Sequence, residues 1–477
     1  MRFVRRAPIV LVVLAAVIAA LVVDRDRPSA VTPSFGSLAD RDMPTAAEAT
    51  ALSSTWICPG VPAPANGTAT GKFSILNPTS VELTAVVTLY PSEGNSTTET
   101  LQLKPGIKEI GFASSALRAR YIGAVIEVQA GSVAVEQTVV TPAGQSISPC
   151  ASGVSSTWYL GEGATVLDAC ETLVAFNPFP DDAIVDIRLI TDTEQRTLSG
   201  TVLKPRSVQT IALQDIVRRN TQVSVAAEAR SGAFVLGRVQ ERGGCGQPTG
   251  TMSAGLASPS AGSDFWFARV DKKDSWSERI VVFNPSAEEA EIDIELRPFE
   301  PAADVAQPVQ RTLAGRSTFV LDVAKDDTIP NGSYSVHVQS VNGVGVVAEL
   351  ATDRAAAAPQ QLGASIMVGA RRTAGRWLVP VGSTVAPAVE ELAIHNPSGE
   401  AVTAKLKLVG PGGTVDVPGS QTITVPGGAS VMVPLQTVVQ LDPLSIEVDA
   451  TGDVVVERLF TTDKAGLTRT AAIPVRS

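Results

Sequence analysis

The stretch LVAFNPFPDDAIVDIRLI, residues 173–190, places an Asn-Pro pair between two apolar runs. Three other stretches repeat it: FSILNPTSVELTAVVTL (73–89), IVVFNPSAEEAEIDIEL (280–296) and LAIHNPSGEAVTAKLKL (392–408). Proline has no amide proton for a central strand and its φ is preset for a turn, while asparagine folds its side chain back onto nearby backbone. The pair therefore reads as punctuation between two strands. Downstream of each Asn the apolar residues alternate, as in Ala183, Val185, Ile187 and Leu189, or Ala290, Ile292, Ile294 and Leu296. Period two over seven residues is a half-buried strand with one face on a core.

The asparagines Asn77, Asn177, Asn284 and Asn396 are spaced by 100, 107 and 112 residues, and Trp56, Trp158, Trp266 and Trp377 by 102, 108 and 111. Two markers holding nearly one period indicate internal duplication into four repeats. A second turn recurs in each, as LQLKPG (101–106), TVLKPR (201–206), TLAGR (312–316) and ITVPGG (423–428), with the Pro missing from repeat three. About seven short strands per repeat, without helical periodicity, predict an all-β chain of four tandem immunoglobulin-like antiparallel sandwiches. Their expected bounds are 53–152, 153–260, 261–372 and 373–477. The four tryptophans, each at the first strand, are expected to pack in the cores.

The N-terminus carries a different signal. Arg2, Arg5 and Arg6 precede an apolar run from Ala7 to Val23, which the charged residues Asp24 to Arg27 end. Basic residues before such a run favour a cytoplasmic N-terminus with the remainder exported. Residues 1–23 are thus expected to be a retained signal anchor, a single transmembrane helix about 25 Å long. Residues 24–52, rich in Pro, Ser, Ala and Thr, read as a flexible linker. The bulk of the chain is expected to be extracytoplasmic, anchored in the cell membrane.

The composition, 44% hydrophobic and 18% charged with a net charge of −10, is globular. Without clustered cations beyond the N-terminus, nucleic-acid binding is disfavoured. The four cysteines, Cys58, Cys150, Cys170 and Cys245, sit in the first two repeats and are expected to form disulfides after export. Of three possible pairings, Cys58–Cys150 and Cys170–Cys245 keep one bond within each repeat.

No constellation for catalysis, cofactor or metal binding stands out. His395 occupies the column of Leu76, Phe176 and Phe283 and should pack near a strand end, whereas His337 alternates with valines toward a solvated face. Asp322, Asp326 and Asp327 read as turn chemistry. Glu136, Glu349 and Glu457 fall in different repeats and read as charges that discourage edge pairing. Trp276, which has no counterpart elsewhere, is the first choice for an exposed contact residue.

The Arg-led apolar segment, the Pro/Ala tether and the repeats ending in VAVEQ (133–137), VVAEL (346–350) or VVVERLF (454–460) resemble an actinobacterial family of membrane-anchored extracytoplasmic proteins of unassigned function. The resemblance implies a cell-envelope location and supplies no catalytic residue. The expected role is a non-enzymatic scaffold or protein-interaction module of the bacterial envelope. Its partners would be envelope proteins or glycans, and the alternative role is an accessory or glycan-binding subunit in envelope polysaccharide assembly.

Overall fold

The computed structural model describes residues 44–476 apart from positions 66, 68, 113–116, 143, 247–249, 274–275, 300–305, 355–362, 416–421 and 463–465. The expected anchor over 1–23 lies outside the described residues. Among those described, no helix is long and apolar enough to cross a membrane.

Repeat one runs β1 (Ser54–Ala63), β2 (Thr70–Asn77), β3 (Leu83–Pro91), β4 (Thr97–Leu103), β5 (Gly106–Gly111), β6 (Ala119–Val128), β7 (Ala134–Thr141) and β8 (Gly144–Pro149). These make two antiparallel sheets, β1-β6-β3-β4 and β5-β2-β7-β8. Repeat two has β9 (Thr157–Leu160), β10 (Ala169–Asn177), β11 (Ala183–Thr191), β12 (Gln195–Leu203), β13 (Ser207–Ala212), β14 (Val223–Ser231), β15 (Val235–Arg242) and β16 (Thr251–Leu256). Repeat three has β17 (Asp264–Lys272), β18 (Trp276–Asn284), β19 (Ala290–Pro298), β20 (Val309–Leu313), β21 (Ser317–Asp322), β22 (Gly332–Ser340), β23 (Val347–Arg354) and β24 (Gly363–Val368). Both repeat the same two sheets. Repeat four has β25 (Ala374–Gly382), β26 (Val389–His395), β27 (Val402–Gly410), β28 (Gly413–Val415), β29 (Thr422–Val425), β30 (Ser430–Pro434), β31 (Leu444–Thr461), β32 (Leu467–Ala471) and β33 (Ile473–Pro474). Here one long strand, β31, does the work of two by pairing with β25 and β27 first and with β26 and β32 afterwards.

The expected antiparallel two-sheet repeat is what the chain forms, with an eighth strand in each. Its strand order, however, puts the first strand beside the sixth and the seventh beside the second. The ABED and CFG sheets of an immunoglobulin constant domain are ordered differently.

Each Asn of the Asn-Pro pair is at most 1% exposed. Asn177 Nδ2 donates to the carbonyls of Asp181 (2.8 Å) and Leu203 (3.0 Å), and its Oδ1 accepts from the Phe179 amide (3.0 Å). Asn77, Asn284 and Asn396 make the same three contacts. The Asn therefore folds its own turn and also ties that turn to the end of the fourth strand. At the second turn, Gly106, Arg206, Arg316 and Gly428 all have φ between 48° and 108°, so TLAGR forms the same left-handed turn as its Pro-containing counterparts.

The eighth strands close the repeats into a ring. β8 packs on β16, β16 on β24, β24 on β32, and β32 back on β8. One hydrogen bond recurs around the circle: the amides of Ala254, Ile366, Arg469 and Ile147 donate to the hydroxyls of Ser146 (2.8 Å), Ser253 (2.9 Å), Ser365 (2.8 Å) and Thr468 (3.3 Å). Four repeats that read in sequence as a linear series thus form one closed body.

The segment preceding repeat one joins this closure. Ala46 is fully buried and pairs with Val475, and its amide donates to the Pro474 carbonyl at 2.8 Å. The Ala47 carbonyl accepts from Ser132 of repeat one. Residues 44–47 are therefore a strap across the seam between repeats four and one, not part of a flexible linker reaching to 52. Unpaired backbone at the edge of repeat four supplies the partner that composition does not reveal.

Candidate functional site

Buried charged groups gather at the seams, where the second sheet of one repeat lies against the first sheet of the repeat before it. The residue ahead of each Asn marks the contact. Tyr90 of repeat one meets Phe176 with ring centroids 5.1 Å apart, Phe283 packs with Tyr159, Ile190 and Ala226, and Trp266 meets His395 at 5.8 Å.

Glu136, Glu349 and Glu457, expected as edge charges, are instead at most 2% exposed. Glu136 of repeat one is bound by Arg458 of repeat four at 2.8 Å and accepts from the Val381 amide at 3.2 Å. Glu349 of repeat three is bound by Arg238 of repeat two at 3.0 Å and accepts from the Gly161 and Glu162 amides. Both arginines are at most 1% exposed on the side chain. Their strands are not edges: β7 runs between β2 and β8, β23 between β18 and β24, and this part of β31 between β26 and β32, so the charges sit on a sheet face that another repeat covers.

The remaining two seams are built differently. Between repeats three and four, Glu457 accepts from the Arg269 amide, and Arg469 reaches Asp271 (3.0 Å), Glu278 (2.5 Å) and Glu457 (3.1 Å). Burial opposes ionisation of Asp271, but Arg469, Arg269 and Lys273 hold its carboxyl well below the usual carboxylate range. Between repeats one and two the carboxylate is absent. Gly237 stands in its place against Pro59, and a Cβ on Gly237 would come within 2.8 Å of that ring.

A second carboxylate column, six residues before the Asn, was missed in sequence. Glu171, Glu278 and Glu390 are fully buried, and Gly71 takes the position in repeat one. Burial pushes Glu171 and Glu390 up to about 8 and Glu278 to about 7, with the nearby arginines opposing. Neither carboxylate oxygen of Glu171 has a hydrogen-bond partner among the described residues. Space for these side chains comes from glycine, since a Cβ on Gly163 or Gly382 would lie 2.0 Å from an oxygen of Glu171 or Glu390. Repeat one inverts the arrangement, and a Cβ on Gly71 would lie 2.2 Å from Val61. Aligning the four stretches a few residues further upstream would have exposed the column.

Trp56, Trp158 and Trp377 are at most 1% exposed, as expected of core residues. Trp266 is not their equivalent. Ile57, Tyr159 and Trp266 form matching bridges to Ala151, Ser258 and Ala370, which aligns Phe265 with the other tryptophans. Phe265 is fully buried, while Trp266 turns to the opposite face and is half-buried. There it stacks on His337 at 3.6 Å with the rings 4° from parallel, and His337 Nε2 lies 3.0 Å from Asp264 Oδ1. His337 is accordingly half-buried rather than solvated. His395 is 1% exposed beside Ser430 Oγ at 3.0 Å, and burial pushes its imidazole down to about 4, so it is neutral at pH 7.

Trp276 is half-buried at the start of β18, with Lys273 Nζ 4.0 Å and Arg469 Cζ 5.6 Å from its ring, so cations of the chain itself lie against the ring. Asp322 pairs with Lys325, and Asp326 accepts from the Thr328 amide in a local turn. Among the described residues no group of His, Cys, Asp and Glu has the geometry to hold a metal. The cysteines form Cys58–Cys150 and Cys170–Cys245, with Cα atoms 4.5 Å and 5.5 Å apart.

On the ring axis, parts of β8, β16, β24 and β32 line a cavity of about 80 Å³, with Leu256, Met367 and Ala471 among its walls and Pro44 and Pro474 at one side. Ser148, Ser258, Arg371, Arg372 and Arg469 also line it.

The chain has 14% identity to Thermotoga maritima 1070, over 22% of this chain and 97% of that one, with a TM-score of 0.20. A tetra-tandem repeat from the extending region of a large adhesion protein is 12% identical over 84% of this chain and 93% of that one, with a TM-score of 0.10. The arabinofuranosyltransferase AftD from Mycobacteria is 8% identical over 83% and 39%, with a TM-score of 0.12. No curated protein matches. Residues 371–470, nearly the whole of repeat four, match the model of DUF5719, a family of unknown function.

Proposed function

We propose that this protein is a non-enzymatic scaffold or protein-interaction module of the bacterial cell envelope, held at the membrane by its N-terminal segment with the four-repeat ring outside. The observation that carries the reading is the use of buried charge. Arg238, Arg458 and Arg469 are buried and each binds a carboxylate of a neighbouring repeat. Two disulfides suit an oxidising compartment. The fourth and fifth strands of each repeat lie at sheet edges and are the surfaces most open to partners. The immunoglobulin-like layering, the signal anchor and the envelope location belong to this same proposal.

The test is in vivo cross-linking of the full chain followed by pull-down, with a C-terminal tag probed by an impermeant reagent on intact cells. A labelled tag and a reproducible envelope partner support the reading. An unlabelled tag on intact cells that becomes labelled on lysis refutes the location, and turnover of a cell-wall substrate refutes the absence of chemistry.

A further inference from the structure

The one-residue offset that exposes Trp266 gives the seam between repeats three and four a feature absent from the matching positions elsewhere. Those positions hold Ile57 and Leu378, both buried, and Tyr159, which packs on Phe283. At Trp266 the seam instead opens into a groove of about 780 Å³. One wall is the first strand of repeat three, with Asp264 and Trp266. Arg371 and Arg372 lie at the junction, and the other wall is the Asn-Pro turn and the middle of β31 in repeat four, with Glu400 and Asp453.

The indole is held rigidly. His337 covers it in a parallel stack, Asp264 fixes His337, and His395 of the next repeat abuts it at 31°. The Nε1 donors of Trp158 and Trp377 are used on backbone carbonyls within the core and that of Trp56 is buried without a partner, whereas Trp266 is half-buried and its Nε1 makes no hydrogen bond among the described residues. A partly exposed, pre-oriented aromatic with a free donor, flanked by the exposed carboxylates of Glu400 and Asp453 and by half-buried Asp264, offers an apolar surface with convergent polar groups. Carboxylates accept from hydroxyls, and the mixed signs along the groove select against a highly charged ligand.

We propose that this groove binds a neutral saccharide, with a sugar ring against Trp266 and its hydroxyls on Asp453, Glu400 and Asp264. The site does not depend on the scaffold reading or on the anchor. It also differs from the contact expected at Trp276, which is capped by Lys273.

Calorimetric titration of the full chain with purified arabinan, galactan, mannan and cello-oligosaccharide fragments tests it. At least one fragment should bind saturably with a Kd of about 1 mM or tighter. Trp266→Ala and Asp453→Asn should each weaken that binding about tenfold or more, while Trp276→Ala leaves it unchanged. Trp266→Phe keeps the stack on His337 but loses the donor, so if Trp266→Ala lowers the melting temperature, Trp266→Phe and Asp453→Asn decide. Failure of every fragment to bind the wild-type chain overturns the proposal, as does wild-type affinity in the folded Trp266 and Asp453 variants. Because binding is measured on purified protein, a negative result here leaves the location experiment unaffected.

Discussion

Replacing Glu136 by Gln tests whether the ring is held by its buried ion pairs. Arg458 donates to Glu136 through two nitrogens, at 2.8 Å and 3.3 Å, and its side chain is 0% exposed. Its other bond goes to the Val381 carbonyl, so the substitution leaves a buried guanidinium with neutral partners only. Breaking a buried pair from one side costs about 3–5 kcal/mol, because the remaining charge is neither solvated nor compensated. The surviving carbonyl bond and the acceptor oxygen of Gln point to the lower end, about 3 kcal/mol. Arg458→Met should cost a similar amount by stranding Glu136. The double variant removes both charges and should be far less destabilised than the sum, with a coupling energy of about 2 kcal/mol or more. Urea unfolding at pH 7, followed by intrinsic fluorescence, measures all four corners of the cycle. Single variants costing less than about 1 kcal/mol, or effects that simply add, would show that this seam is held by apolar contact and that the pair is incidental.

Four further outcomes follow from the geometry. Asn177→Ala strands the Asp181 and Leu203 carbonyls and the Phe179 amide, and should cost about 2–4 kcal/mol in urea unfolding. Glu171, raised to about 8 from 4.5, binds its proton more tightly in the folded state. Its contribution is therefore full below about pH 4.5 and is lost as pH rises toward about 8, at up to about 1.4 kcal/mol per pH unit. Glu171→Gln should flatten the stability profile across that window, and parallel profiles for variant and wild type would refute the assignment. Gly382→Val should be strongly destabilising because Glu390 fills the space, whereas Gly382→Val with Glu390→Gly copies the Val61 and Gly71 arrangement of repeat one and should recover most of the loss in a thermal melt. Replacing both Cys170 and Cys245 by Ser opens a 75-residue loop and should cost about 4 kcal/mol in chemical unfolding under non-reducing conditions.

The alternation after each Asn, the turn chemistry of the Asn-Pro pairs and the cysteine positions were sufficient to read repeats of antiparallel strands and two intra-repeat disulfides, because those signals are local: a period, a fixed φ, a position within one repeat. Even the Trp266 offset was legible. The tryptophan spacings of 108 and 111 depart by one residue from the 107 and 112 of the asparagines, and Phe265 restores the match. In a strand, one residue of register moves a side chain from the core to the opposite face, which is why so small a difference separates a core aromatic from a groove-lining one.

Tertiary structure alone decided what lies beyond a single repeat. The closure of β8, β16, β24 and β32, the strap at residues 44–47, and the partners of Glu136 and Glu349 all join residues about a hundred to several hundred positions apart. Whether a strand-borne carboxylate meets water or a buried arginine depends on which surface covers it, and the covering surface comes from another repeat. The sequence by itself determined the repeating fold, and the packing of repeats against one another determined where its charges are buried and where Trp266 opens a groove.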